Sequence, residues 1–201
     1  KHLKFLKILK IEYFTISLLG LIGTMIMISA NSLLMLYLGI ELLSLSLYAL
    51  IGFNKKSSLS SEAAIKYYVL GAMSSGILLF GISLIYGFTG SIAYDDIASQ
   101  LINIDMDSVD YIAIIFGIIF ITASLCFKFG AAPFHMWVPD IYQGSLISTT
   151  ILLSTLPKIA VFIVFLKLYF IPFILLREVW SDILIFVGML SIVIGSLFAL
   201  T

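Results

Sequence analysis

Six long apolar runs, separated by short polar segments, leave this chain few ways to fold. They fall at about residues 13–30, 33–53, 63–88, 111–132, 146–171 and 183–200. Each is close to the roughly 20 residues that an α-helix needs to cross the ~30 Å hydrocarbon core of a bilayer. Of the 201 residues, 62% are hydrophobic and only 11% are charged, against about 25% charged in soluble domains. Helices this apolar have no polar face to show to water. Within a bilayer, a helix satisfies its own backbone hydrogen bonds. The sequence therefore predicts an all-α membrane protein of about six transmembrane helices with no soluble domain.

The connecting segments set an expected orientation. Lys1, Lys4, Lys7 and Lys10 precede the first run, and Lys55 and Lys56 lie between the second and third. An even number of spans separates these two groups, so both belong on one side. The 22-residue segment 89–110 carries Asp95, Asp96, Asp105, Asp107 and Asp110 and belongs on the other, read as a solvated loop. Excess lysine marks the cytoplasmic side or its equivalent, the mitochondrial matrix. The basic N-terminal stretch reads as a flank of the first span rather than a presequence, since no cleavage pattern follows. A net charge of zero gives no case for a nucleic-acid partner. Cys126 is the only cysteine, which excludes an internal disulfide, and it reads as a buried, inert thiol.

Against this apolar background a few charges stand inside the runs. Glu41 lies mid-way along the second, with Tyr37, Ser44 and Tyr48 at i−4, i+3 and i+7, on one helical stripe. Lys66 lies one turn into the third run, Lys128 in the last third of the fourth, and Lys158, after Pro157, near the centre of the fifth. Each such charge costs at least ~2.5–3.5 kcal/mol at mid-membrane, so the group must pair, face a wet interior or change protonation. Lys128 opens the stretch FKFGAAPFHMWVPDIYQG at 127–144, where Pro133 removes a backbone donor and must end or break the helix. One carboxylate and three lysines on four helices, Glu41, Lys66, Lys128 and Lys158, are the candidate proton or cation relay. His135 reads as a loop residue, with no second His or Cys near it to make a metal site. Nothing resembles a phosphate loop, an iron–sulfur cysteine cluster or a haem ligand pair.

The segments LYLGIELLSLSLYAL (36–50), EAAIKYYVLGAMSSGILLFG (62–81), the 127–144 stretch and LPKIAVF (156–162) closely resemble the antiporter-like subunits of respiratory complex I, the proton-pumping NADH:ubiquinone oxidoreductase. Their wording is most similar to subunit 2. The resemblance implies a non-redox subunit of a proton-translocating enzyme. Glu41 would be the mid-membrane glutamate, Lys66 the lysine that modulates or pairs with it, Lys128 the central lysine at the broken helix, and Lys158 the lysine connecting to a second half-path. It implies no cofactor in this chain, with NADH, FMN, iron–sulfur clusters and ubiquinone used elsewhere in the complex.

It also implies an architecture of inverted five-helix repeats, each with one broken helix. Residues 1–12 would be a basic flank and residues 13–171 one complete repeat, discontinuous near 130–133. Residues 172–201 would be a connection and the first helix of a second repeat. The expected partners are other membrane-arm subunits of complex I, membrane lipids, and a second polypeptide supplying the rest of subunit 2, as a split gene would. The expected location is the mitochondrial inner membrane, N-terminus on the matrix side, with a bacterial plasma membrane as the alternative. A stand-alone cation/proton antiporter and a purely structural membrane-arm subunit are the competing functions.

Overall fold

A computed structural model describes residues 11–102, 104 and 108–200. The four N-terminal lysines, Asp105 and Asp107 lie outside the described residues. Within them the chain forms eight α-helices: α1 Ile11–Ser29, α2 Leu33–Ile51, α3 Ser58–Thr89, α4 Tyr94–Leu101, α5 Val109–Phe129, α6 Trp137–Gly144, α7 Ile147–Phe170 and α8 Arg177–Leu200. Six of these, all but α4 and α6, are long and apolar enough to cross a membrane. The all-α, six-span expectation therefore holds.

The helix ends follow capping residues more than hydrophobicity. The run expected to begin near Ala63 starts at Ser58 instead, because the Ser57 hydroxyl accepts a hydrogen bond from the Ser60 amide and satisfies an orphan donor. At 32 residues, α3 is roughly 48 Å long, well beyond the ~30 Å core, so its polar first turns need not be buried in lipid. The Ser32 and Ser108 side chains cap α2 and α5 in the same way.

Two short helices occupy segments expected to be loops. In α4, Tyr94, Ile97 and Leu101 are buried, and in α6, Trp137 and Ile141. These positions are three or four residues apart and form one apolar stripe on each helix. Both stripes are too short to register as spans. The acidic segment is tied down at its start, where Leu33 N–H donates to Ile92 O at 2.9 Å and Tyr94 N–H to Asn31 O at 3.1 Å. At the same end of the bundle Lys167 donates to Ile28 O and Ala30 O, at 3.0 and 2.7 Å, and to Asn31 Oδ1. A cation there satisfies the open carbonyls at the C-terminus of α1.

The helices pack α1 on α2, α2 on α3, α3 on α5 and α6, and α7 across α1, α2 and α5. At two glycines the α1–α2 contact has no room for a side chain. A Cβ on Gly23 would lie 2.7 Å from Leu43 N, and one on Gly39 2.7 Å from Met27 N. Close backbone approach of this kind is how helices gain packing energy where lipid removes the hydrophobic drive. Along its apolar span α8 is unburied, and it touches the bundle mainly through α5.

Candidate functional site

Lys128 is the second-last residue of α5, and its side chain turns into the bundle rather than toward an end. It is 6% exposed. Its ammonium donates to Ser44 Oγ of α2 at 2.8 Å and to Ser75 Oγ of α3 at 3.4 Å. The neighbouring Ser74 and Ser124 hydroxyls sit 2.9 Å apart, and Ser124 Oγ donates to Ser74 O at 2.8 Å. A buried polar patch thus joins α2, α3 and α5. Serine suits it because a hydroxyl is both donor and acceptor in a small volume.

Glu41 stands one turn before Ser44 on the same stripe. Among the described residues its Oε1 is buried without a hydrogen-bond partner. An unpartnered buried oxygen is costly and calls for water or a second conformation. The Tyr48 phenol completes this stripe. It is wedged against Gly71, where an added Cβ would lie 2.0 Å from the hydroxyl, and its ring packs edge-on against Tyr67 and Tyr68. A cavity of about 10 Å³ is lined by Ser44, Tyr67, Lys128 and Pro157 among apolar neighbours, room for about one water.

The helix break lies immediately beyond Lys128. Gly130 ends α5 in the left-handed region, φ 75°, with its N–H on Cys126 O, a conformation natural to glycine. The Ala132–Pro133 bond is cis. Ala132 N–H donates to Ser191 Oγ of α8 at 3.0 Å, and Trp137 Nε1 to Phe127 O at 3.1 Å, so the interrupted backbone is braced from both sides. Lys158 of α7 reaches this break. Its nitrogen lies 5.2 Å from the Phe129 ring centroid and 5.7 Å from that of Trp137, within cation–π range. A Cβ on Gly130 would lie 2.8 Å from it, so the lysine nitrogen rests directly against the glycine. Trp137 also stacks on Tyr67 at 4.9 Å. His135 sits in the break with both ring nitrogens buried and unpartnered among the described residues, its ring 5.8 Å from Phe198.

Lys66 is placed differently. It lies in the exposed first turns of α3, bonded at 2.8 Å to Glu62 and at 2.8 Å to Asp140 of α6. Its ion pairs are with these surface carboxylates, not with Glu41. Lys128 therefore meets the stripe of Glu41 through Ser44, Lys158 reaches the break beyond Lys128, and Lys66 stands apart. Periodicity places Ser44 on the stripe of Glu41, whereas Ser75 and the roles of Trp137 and Asp140, both within the 127–144 stretch, do not follow from the sequence. The adjacent Ser74 and Ser75 in the middle of an apolar run were the available signal. Asp140 is 74 residues from Lys66 and gave none.

The fold and site define a multi-pass helical membrane protein with a lysine buried beside a broken helix. The profile described as "NADH:quinone oxidoreductase/Mrp antiporter, TM" matches residues 30–201, and the chain belongs to that family. It is 48% identical over 189 residues to NADH-quinone oxidoreductase subunit N of Ruthia magnifica, covering 94% of this chain and 39% of that protein. Among solved structures, respiratory complex I from Thermus thermophilus with bound aureothin aligns with a TM-score of 0.67 and 32% identity, over 79% of this chain and 34% of the matched one. The Mrp complex from Dietzia sp. DQ12-45-1b aligns with a TM-score of 0.68 at 22% identity, over 78% of this chain and 28% of that one, a likeness of fold alone. The chain spans about two fifths of the length of the curated relatives it matches.

Proposed function

We propose that this chain supplies one proton half-path of a subunit-N-like component in the membrane arm of an NADH:quinone oxidoreductase. It is a non-redox part of a proton translocase. The observation that carries this reading is the Lys128 ammonium, buried at a helix break on two hydroxyls, with Glu41 one helical turn before the nearer of them. Glu41, Lys128 and Lys158 are the relay. A cavity with room for about one water is lined by Lys128 and by Pro157, the residue before Lys158. Lys66, held by Glu62 and Asp140, acts at the mouth of the path, where it can tune entry but is not itself buried. NADH, flavin, iron–sulfur clusters and quinone belong to other subunits.

The partners in this reading are the other membrane-arm subunits, lipid around the outward-facing apolar surface, and the remainder of the subunit, on this or a second polypeptide, packed against α8. Residues 13–171 form the first repeat and residues 172–201 lead into the second. The relatives named above with their organisms are bacterial, which favours a bacterial plasma membrane over the mitochondrial inner membrane. The side carrying Lys55, Lys56 and the broken helix faces the cytoplasm by the positive-inside rule. The 22% likeness to an Mrp complex gives no separate support to a stand-alone antiporter. The test is redox-driven proton uptake by the assembled complex carrying Glu41→Ala or Lys128→Ala. Pumping should fall far more than assembly in both, and a normal proton-to-electron ratio in both contradicts the reading.

A further inference from the structure

We infer that Ser44 is a positioning residue of the relay: its hydroxyl seats the Lys128 nitrogen apart from Glu41, in a bond that survives when Lys128 changes charge. This rests on the relay reading above and deepens it.

Three observations carry the inference. The shorter hydrogen bond of Lys128 goes to Ser44 Oγ, 2.8 Å, and the longer one to Ser75 Oγ, 3.4 Å. Glu41 shares the helix face of Ser44, three residues earlier, and among the described residues its Oε1 is buried and unbonded. Within the same residues, the ion pairs within 4.0 Å are those of Lys66, and Lys128 makes none. The acid and the base thus meet the same stripe of α2 but are not joined.

Hydroxyl chemistry explains why this arrangement suits a relay. A carboxylate can only accept, so an ion pair with Glu41 would hold Lys128 in its protonated form. A serine hydroxyl accepts from an ammonium and, by rotating, donates to a neutral amine. On Ser44 the lysine nitrogen keeps a partner in both states, and proton loss leaves no buried group stranded. The position matters as much as the chemistry. Ser44 lies about 4.5 Å further along the α2 axis than Glu41, so a rotamer change of the long lysine chain moves it between the two. Ser44 also lines the cavity bounded by Lys128 and Pro157, which has room for about one water.

The decisive comparison is Ser44→Thr with Ser44→Val, which match in shape and differ in the hydroxyl. Each is measured in the assembled complex in sealed vesicles, as protons moved per electron from NADH, normalised to assembled enzyme. The expected result is near-normal pumping in Ser44→Thr and a fall of about tenfold in Ser44→Val, the factor that one hydrogen bond to a charged group carries. Ser44→Ala, which creates no crowding, should resemble Ser44→Val and replaces it if that variant fails to assemble. Ser44→Asp, which forms the locked ion pair, should pump least. Equal pumping by the Thr variant and its hydroxyl-free counterpart, whether both high or both low, overturns the inference. Lys128→Ala is run alongside. If it pumps normally, the relay reading fails. If it does not pump while the hydroxyl-free Ser44 variants pump like Ser44→Thr, only the role of Ser44 fails.

Discussion

Two lysines of this chain meet opposite surroundings. Lys128 is buried on two serine hydroxyls at a helix break, whereas Lys66 is half exposed between two carboxylates. Sequence alone makes them look alike, since each is a lone cation in an apolar run. The partners separate them. Carboxylates fix a lysine in its charged form, and exposure to water makes that pairing weak. Hydroxyls in a buried site tolerate either form. A residue that must gain and lose a proton belongs in the second setting, and the first suits a latch between α3 and α6.

Substitutions at the two sites should have very different consequences. The largest expected effect is that of Glu41→Ala, which removes the carboxylate one turn before the Ser44 hydroxyl that holds Lys128. Redox-driven pumping should fall by about a hundredfold, the scale of a lost proton-transfer group, with the assembled complex still present on a native gel. Gly71→Ala comes next. Its methyl would meet the Tyr48 hydroxyl at 2.0 Å, and the ring cannot yield easily because Tyr67 and Tyr68 pack on it. Overpacking of this kind costs about 1–3 kcal/mol, read as a lower unfolding temperature in detergent. Trp137→Phe keeps an aromatic face for Lys158 but loses the bond from Nε1 to Phe127 O. It should destabilise by about 1 kcal/mol in the same measurement. Asp140→Asn, at the exposed pair, should leave the unfolding temperature unchanged at moderate salt. A large loss there would erase the distinction between the two lysines.

The spans were legible because bilayer thickness sets a length that composition alone reveals, and Pro133 marked the break. The true ends were not, because a side-chain cap such as Ser57 extends a helix past the point where hydrophobicity stops. The helices α4 and α6 were missed because one buried stripe of two or three residues is lost among aspartates and prolines. Glu41, Lys128 and Lys158 were legible as charges out of place. Their partners were only partly so: Ser44 shares a helix with Glu41, so periodicity found it. Ser75 reaches Lys128 from another helix, and Asp140 reaches Lys66 across 74 residues. No local pattern encodes those meetings.

In the proposed relay Lys128 carries the proton and Lys66 does not. Protons moved per electron, measured in the assembled complex for Lys128→Ala and Lys66→Ala side by side, distinguish the two lysines. The expected result is a collapsed ratio in Lys128→Ala and a ratio close to normal in Lys66→Ala. A normal ratio in Lys128→Ala, or an equal loss in both, would contradict it.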